Sequence, residues 1–153
     1  MKIDVLTLFP DMFTAFRNES IVGRAIRSDI VDINIVNIRD YSLDKHKKTD
    51  DYTFGGGPGM VLFPEPVFRA IDDLKTGDCN TKMIYMSPRG KILDKAKIEE
   101  LAGMDRLMFL CGHYEGIDER IIEYWHPEEI SIGDYILTGG ELAAMVVIDV
   151  IAR

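Results

Sequence analysis

A chain of 153 residues with 46% hydrophobic and 29% charged side chains has the make-up of one ordinary globular domain, long enough to bury a substantial core. Its net charge of −8 excludes a protein that holds nucleic acid by bulk electrostatics, because neutralising phosphates takes clustered Lys and Arg; recognition at a local basic patch stays open. Cys79 and Cys111 have no zinc-site or Cys-x-x-Cys spacing and fit a reducing compartment. With no signal-peptide pattern and no apolar run near the ~20 residues of a membrane span, the expected location is the cytoplasm, away from membranes.

In chain order, Ile3, Val5 and Leu6–Phe9 predict a mostly buried first strand. Pro10-Asp11 breaks it, and Asp11 is placed to cap a helix carrying Phe13 and Phe16. Ile21, Ala25 and Ile26 keep helical spacing beyond a polar interruption at Arg17–Ser20. Val31, Ile33 and Ile35 alternate with Asp32 and Asn34, the period of a half-buried strand. A long polar loop follows from Asn37 to Gly59, with Lys45, His46, Lys47 and Lys48. Loops longer than about 15 residues inside a compact domain are functional or disordered. Tyr52 and Phe54 could stack on a base, so the loop reads either as a solvated segment or as a basic arm for an anionic partner.

Pro64 and Pro66 suit a helix start, and Val67, Ala70, Ile71 and Leu74 supply its buried stripe. Thr81–Met86 predicts a strand stopping at the loop Ser87–Gly90, then a helix over Ile92–Leu101 ended by Gly103. Arg106–Cys111 reads as a central parallel strand covered on both faces. The loop Gly112–Gly116 follows, then a short helix Asp118–Tyr124 and a short strand Glu129–Ile132. Ser131–Glu141 holds three glycines and enters the apolar helix Leu142–Ile151. Thr138 and Glu141 have capping-box spacing, so Glu141 reads as a cap of that helix before a site group, and Asp134 likewise fits either a helix-end cap or the site. Tyr114 and Tyr135 fit either core or site, and Met145, Val146, Ile148 and Val150 fit core or subunit interface.

The expected fold class is α/β, a mostly parallel sheet flanked by helices. Three glycine-bearing loops, each directly after a strand, then fall at the carboxyl end of the sheet, where such folds bind ligands. The chain has no phosphate-cradling P-loop, no Gly-x-Gly-x-x-Gly and no nucleophile elbow. His113-Tyr-Glu115 lacks the Pro-Cys-x-x-Cys of zinc deaminases. Backbone N–H and C=O groups beside Tyr85, Tyr135 and Leu137 suit an uncharged heterocycle such as adenine.

Four stretches, Asp50-Asp-Tyr-Thr-Phe-Gly-Gly-Gly-Pro-Gly-Met60, Tyr85-Met-Ser-Pro-Arg-Gly90, Cys111-Gly-His-Tyr-Glu-Gly-Ile-Asp-Glu-Arg120 and Ser131-Ile-Gly-Asp-Tyr-Ile-Leu-Thr-Gly-Gly-Glu-Leu142, resemble the bacterial tRNA (guanine-N1)-methyltransferase family of the SPOUT class. The resemblance runs over the whole chain. It implies a deep trefoil knot in the C-terminal half, an exception to the rule against threaded chains. It implies methyl transfer from S-adenosylmethionine to N1 of the guanine 3′ of the tRNA anticodon by a homodimer, with Mg2+ supporting the reaction.

For the site, the resemblance implies cofactor contacts at Tyr85, Met86, Ser87 and Pro88, at Gly112 and Tyr114, at Ile132, Gly133, Asp134, Tyr135, Ile136 and Leu137, and at Gly139 and Gly140. It implies catalytic roles for Glu115 and Arg153; from the residues alone, Arg153 simply favours a helix C-terminus. His113 and Thr53 depart from the family's usual arginine and proline. The family continues into a linker with a catalytic aspartate and a C-terminal tRNA-binding domain, so the chain is expected to be a truncated S-adenosylmethionine-binding domain spanning 1–153, largely inactive alone. Two alternatives stay open: a non-catalytic ligand-binding or dimerisation domain, and a knotted methyltransferase for another RNA position.

Overall fold

The computed structural model describes residues 1–52, 59–74 and 80–153; Cys79, Thr53, Phe54 and the glycine run Gly55–Gly57 lie outside the described residues. Five parallel strands form the main sheet in the order β2-β1-β6-β5-β7: β1 (Lys2–Thr7), β2 (Asp32–Asn37), β5 (Thr81–Ile92), β6 (Arg106–Cys111) and β7 (Glu128–Ser131). A separate antiparallel hairpin joins β3 (Asp50–Tyr52) to β4 (Met60–Leu62). The helices are α1 (Thr14–Asn18), α2 (Ser20–Arg27), α3 (Pro64–Leu74), α4 (Lys95–Ala102), α5 (Glu119–Trp125) and α6 (Glu141–Ala152).

Period-two alternation sends successive side chains of each strand to opposite faces. Ile3, Val5, Ile84, Leu107 and Phe109 join a core with Val22 and Ala25 of α2, Leu101 of α4, and Ala144, Val147 and Ile148 of α6. Leu6, Tyr85, Met108 and Leu110 join a second core with Val67, Ala70 and Ile71 of α3 and Ile121 of α5. The result is three layers, helices on both faces of a parallel sheet, which is why β6 is buried along its whole length. Arg106 and Asp4 form a buried charged pair: Arg106 Nε donates to Asp4 Oδ2 at 2.8 Å, and Asn34 Nδ2 donates to Asp4 Oδ1 at 2.8 Å. Low dielectric makes such a pair costly to break from one side.

Several sequence expectations give way to tertiary structure. Asp11 caps nothing: Pro10–Phe13 form a 3-10 turn entered from Phe9, with no side-chain cap. The stretch from Asn37 to Gly59 is no continuous loop, since Ile38–Tyr41 form a 3-10 turn and Asp50–Tyr52 pair with Met60–Leu62. Ser87–Gly90 is a bulge inside β5, because Met86 and Lys91 both oppose Ile130 across the sheet. The following helix starts at Lys95, where Asp94 accepts a hydrogen bond from the Lys97 amide at 2.8 Å. Asp118 caps α5 by accepting from the Arg120 amide at 3.0 Å. No helix among the described residues is long and apolar enough to cross a membrane.

Candidate functional site

At the carboxyl end of the sheet, the bulge of β5, the loop after β6 and the loop after β7 enclose one cavity of about 460 Å3, within the usual size of a small-ligand pocket. From the bulge come Tyr85, Met86, Ser87, Pro88 and Arg89; from the loop after β6 come Gly112, His113, Tyr114, Glu115 and Gly116. The loop after β7 contributes Ile132, Gly133, Tyr135, Ile136, Leu137, Thr138, Gly139 and Gly140, with Ile130, Ser131 and Ala143 completing the wall. The predicted residues are thus brought together, except two. Asp134 is exposed and outside the lining, capping no helix, and Arg153 is exposed at the end of α6.

Glycine is needed where backbones meet at the floor. A Cβ on Gly140 would lie 2.9 Å from Cys111 Cα, and the Gly140 amide donates to the Gly112 carbonyl at 2.9 Å. The loop after β7 holds its own shape: Ser131 Oγ donates to the Gly133 carbonyl at 2.9 Å, and the Tyr135 hydroxyl donates to the Ile132 carbonyl at 3.3 Å. Tyr135 is therefore 55% exposed beside the cavity rather than a core residue. Tyr114 has left-handed backbone at φ +61°, an unfavoured conformation for a side chain with a Cβ, of the sort retained at functional sites.

Tyr85 separates this cavity from a smaller one of about 220 Å3 lined also by Arg89, Glu115, Glu119 and Glu129. Burial, followed by the Glu129 carboxylate, pushes the Tyr85 phenol above its ordinary value, so it stays a neutral hydrogen-bonding group. Under the floor, burial and then the Glu141 carboxylate push the Cys111 thiol well up, which keeps it un-ionised and inert. Glu141 does not cap α6. Its carboxylate accepts from Thr7 Oγ1 at 2.8 Å in a fully enclosed setting, and the helix starts without a side-chain cap.

The loop after β6 is stapled to the hairpin. Glu115 N donates to the Met60 carbonyl at 3.0 Å, Leu62 N to the Gly116 carbonyl at 3.0 Å and Asp118 N to the Leu62 carbonyl at 3.1 Å. This brings Met60, the last residue of the Asp50–Met60 motif, to Glu115 at the rim of the cavity, a juxtaposition no local pattern encodes. Arg89, His113, Gly116 and Thr138 also line it without having been singled out as ligand contacts; their place inside the glycine-bearing loops was the available signal. Among the described residues no three acidic, histidine or cysteine side chains converge closely enough to hold a metal ion.

A family model described as tRNA (Guanine-1)-methyltransferase TrmD matches residues 1–153. A tRNA (guanine-N(1)-)-methyltransferase of Ruminiclostridium cellulolyticum is 58% identical over all of this chain and 66% of its own length, and one of Staphylococcus carnosus is 54% identical over all of this chain and 62% of its own. The chain therefore spans about two thirds of the length of these curated relatives. The crystal structure of a tRNA (m1G37) methyltransferase from Aquifex aeolicus superposes with a TM-score of 0.90 at 36% identity, over all of this chain and 69% of that one. The chain belongs to the tRNA (guanine-1)-methyltransferase family.

Proposed function

We propose that residues 1–153 form the S-adenosylmethionine-binding part of an enzyme that methylates N1 of the guanine 3′ of the tRNA anticodon. The observation that carries this reading is the convergence of three glycine-bearing segments at the carboxyl end of a parallel sheet, in a chain whose relatives are named for that activity. Bound S-adenosylmethionine supplies an electrophilic methyl group, so the protein's task is chiefly to place it and its acceptor. Main-chain groups of Tyr85–Pro88 and Ile132–Leu137, together with Gly112 and Tyr114, hold the cofactor. Tyr85 and Leu137 form apolar walls, and Gly139 and Gly140 let the backbone approach. Glu115 and Arg153 act on the guanine, Glu115 from the cavity rim and Arg153 from the end of α6. The basic segment Lys45–Lys48 beside the hairpin meets the RNA.

Two features support the rest of the assignment. After β7, at the sheet edge, the chain crosses the ends of β5 and β6 and packs α6 against α2, α4 and β6, the path a trefoil knot would follow. On α6, Leu142 and Val146 are 50% and 43% exposed, an apolar face suited to a second copy in a cytoplasmic homodimer. Methyl transfer itself is proposed for a protein of the relatives' full length; these residues alone bind cofactor and methylate negligibly.

Titration calorimetry with S-adenosylmethionine and its demethylated product tests the cofactor site; no heat from either ligand refutes it. In a protein of full length, methylation that survives Glu115→Ala together with Arg153→Ala removes the two catalytic assignments.

A further inference from the structure

Glu141 is not part of the cavity wall, yet a carboxylate 2% exposed is an expensive thing to bury unless it holds something in place. Its Oε1 accepts from Thr7 Oγ1 at 2.8 Å, and that same hydroxyl accepts from the Phe9 amide at 2.9 Å. The Phe9 ring lies 4.8 Å from the His113 ring. His113 pairs in turn with Gly139 across an antiparallel bridge. At Gly139 the path closes: a Cβ there would stand 2.3 Å from Glu141 Oε2 and 2.7 Å from His113 Nδ1. His113 Nδ1 is buried and has no hydrogen-bond partner among the described residues. Five residues from three distant segments thus ring the turn that forms one cavity wall, and the ring carries one buried acid.

We propose that Glu141 is a positioning residue that, with Thr7 and His113, latches the Gly139–Gly140 wall to the end of β1 and so pre-shapes the cofactor cavity. The latch rests on the cofactor reading above for its effect on binding, but not for its effect on the wall. Thr7 Oγ1 serves as the switch point because one hydroxyl both receives the turn after β1 and donates to the acid; a buried hydrogen bond to a charged group is among the stronger ones available. Glycine at 139 keeps Oε2 and Nδ1 facing the same small space.

The test uses the whole chain, four single variants (Glu141→Ala, Glu141→Gln, Thr7→Val and Thr7→Ser) and one double variant, with S-adenosylhomocysteine as the probe. Calorimetry is expected to show about tenfold weaker binding for Thr7→Val and Glu141→Ala. Thr7→Ser, which keeps the donor, restores wild-type affinity. Glu141→Gln keeps an acceptor for Thr7 and puts an N–H beside His113 Nδ1, so it stays within about twofold of wild type. The double variant Thr7→Val, Glu141→Ala binds no more weakly than Glu141→Ala alone. Wild-type affinity in the two disrupting variants, failure of Thr7→Ser to rescue, a Gln variant as weak as Ala, or additive losses each overturn the latch. Amide exchange at Gly139 and Gly140 supplies a ligand-free readout: faster in Thr7→Val and normal in Thr7→Ser is expected, and equal rates refute the proposal. If wild type binds no cofactor while exchange behaves as stated, the cofactor reading fails and the latch stands. Should the disrupting variants not fold, the Ser and Gln variants still decide, since both must match wild type in exchange and affinity.

Discussion

Gly59 and Glu115 touch where the hairpin docks on the loop after β6: a Cβ on Gly59 would stand 2.3 Å from Glu115 Cγ, and Gly59 has φ +99°. That backbone conformation disfavours any side chain, and the contact leaves no room for one. Gly59→Ala is therefore expected to displace the Glu115 carboxylate at a conformational cost of about 1–2 kcal/mol. In a full-length enzyme, single-turnover methylation should fall at least tenfold while calorimetric affinity for cofactor changes by less than about twofold. Equal losses in both would show that Gly59 serves the cavity rather than Glu115.

Gly140 poses a different constraint, since its would-be Cβ meets Cys111 Cα at 2.9 Å and the Gly112 amide nitrogen at 3.1 Å. These are backbone atoms and cannot rotate away. Gly140→Ala should cost about 1–3 kcal/mol of stability, read from urea unfolding, and should abolish cofactor binding by pushing the floor into the cavity. Retained binding with unchanged stability would show that the floor can slide.

The pair Asp4–Arg106 lies at the opposite end of the sheet, 0% and 3% exposed, with Nε to Oδ2 at 2.8 Å. Asp4→Ala removes the carboxylate that accepts from both the buried Arg106 guanidinium and the Asn34 amide, an expected loss of about 3–5 kcal/mol in urea unfolding. Because the site is remote, cofactor affinity measured well below the unfolding midpoint should stay at the wild-type level.

A charge cluster at the sheet edge joins Lys82 of β5, Lys97 and Glu100 of α4 and Glu128 of β7. Hydrogen bonds from Lys82, then Lys97, hold Glu100 down to about 2, and Glu128 is also held below its ordinary value, where hydrogen bonds from the two lysines outweigh a burial effect that alone would raise it. Both acids have depressed folded values, so their contribution is present above the ordinary carboxylate value near 4.5 and is lost as pH falls towards 2. Amide exchange along β7 should therefore accelerate through that window. Lys82→Met should move the acceleration to higher pH, and added salt should partly blunt it because the cluster is half-exposed. A β7 exchange profile indifferent to Lys82 would rule out the cluster as its anchor.

Much of the layout is legible in the amino-acid sequence. The continuous apolar run Arg106–Cys111 could only be a strand covered on both faces, and it lies at the centre of the sheet. The failures share one cause. Thr138 and Glu141 stand at capping-box spacing, yet Glu141 turns inward because Thr7, 134 residues away, offers it a donor. Ser87–Gly90 reads as a loop, yet β5 resumes its pairing with β7 at Lys91. Local spacing reports what a segment prefers on its own, and these segments are decided by partners far off in the chain.

The sequence by itself determined the alternation of strands and helices, the two-faced burial of the sheet, and the three glycine-bearing segments that its carboxyl end must carry. Those follow from periodicity and from where glycine permits a bend, both local properties. Only the tertiary structure decided that these segments enclose one cavity, that the hairpin's Gly59 abuts Glu115, and that Glu141 faces Thr7 instead of its own helix. Each of these is a contact between atoms whose distance along the chain carries no information about their distance in space. The folded sheet order β2-β1-β6-β5-β7 brings them together.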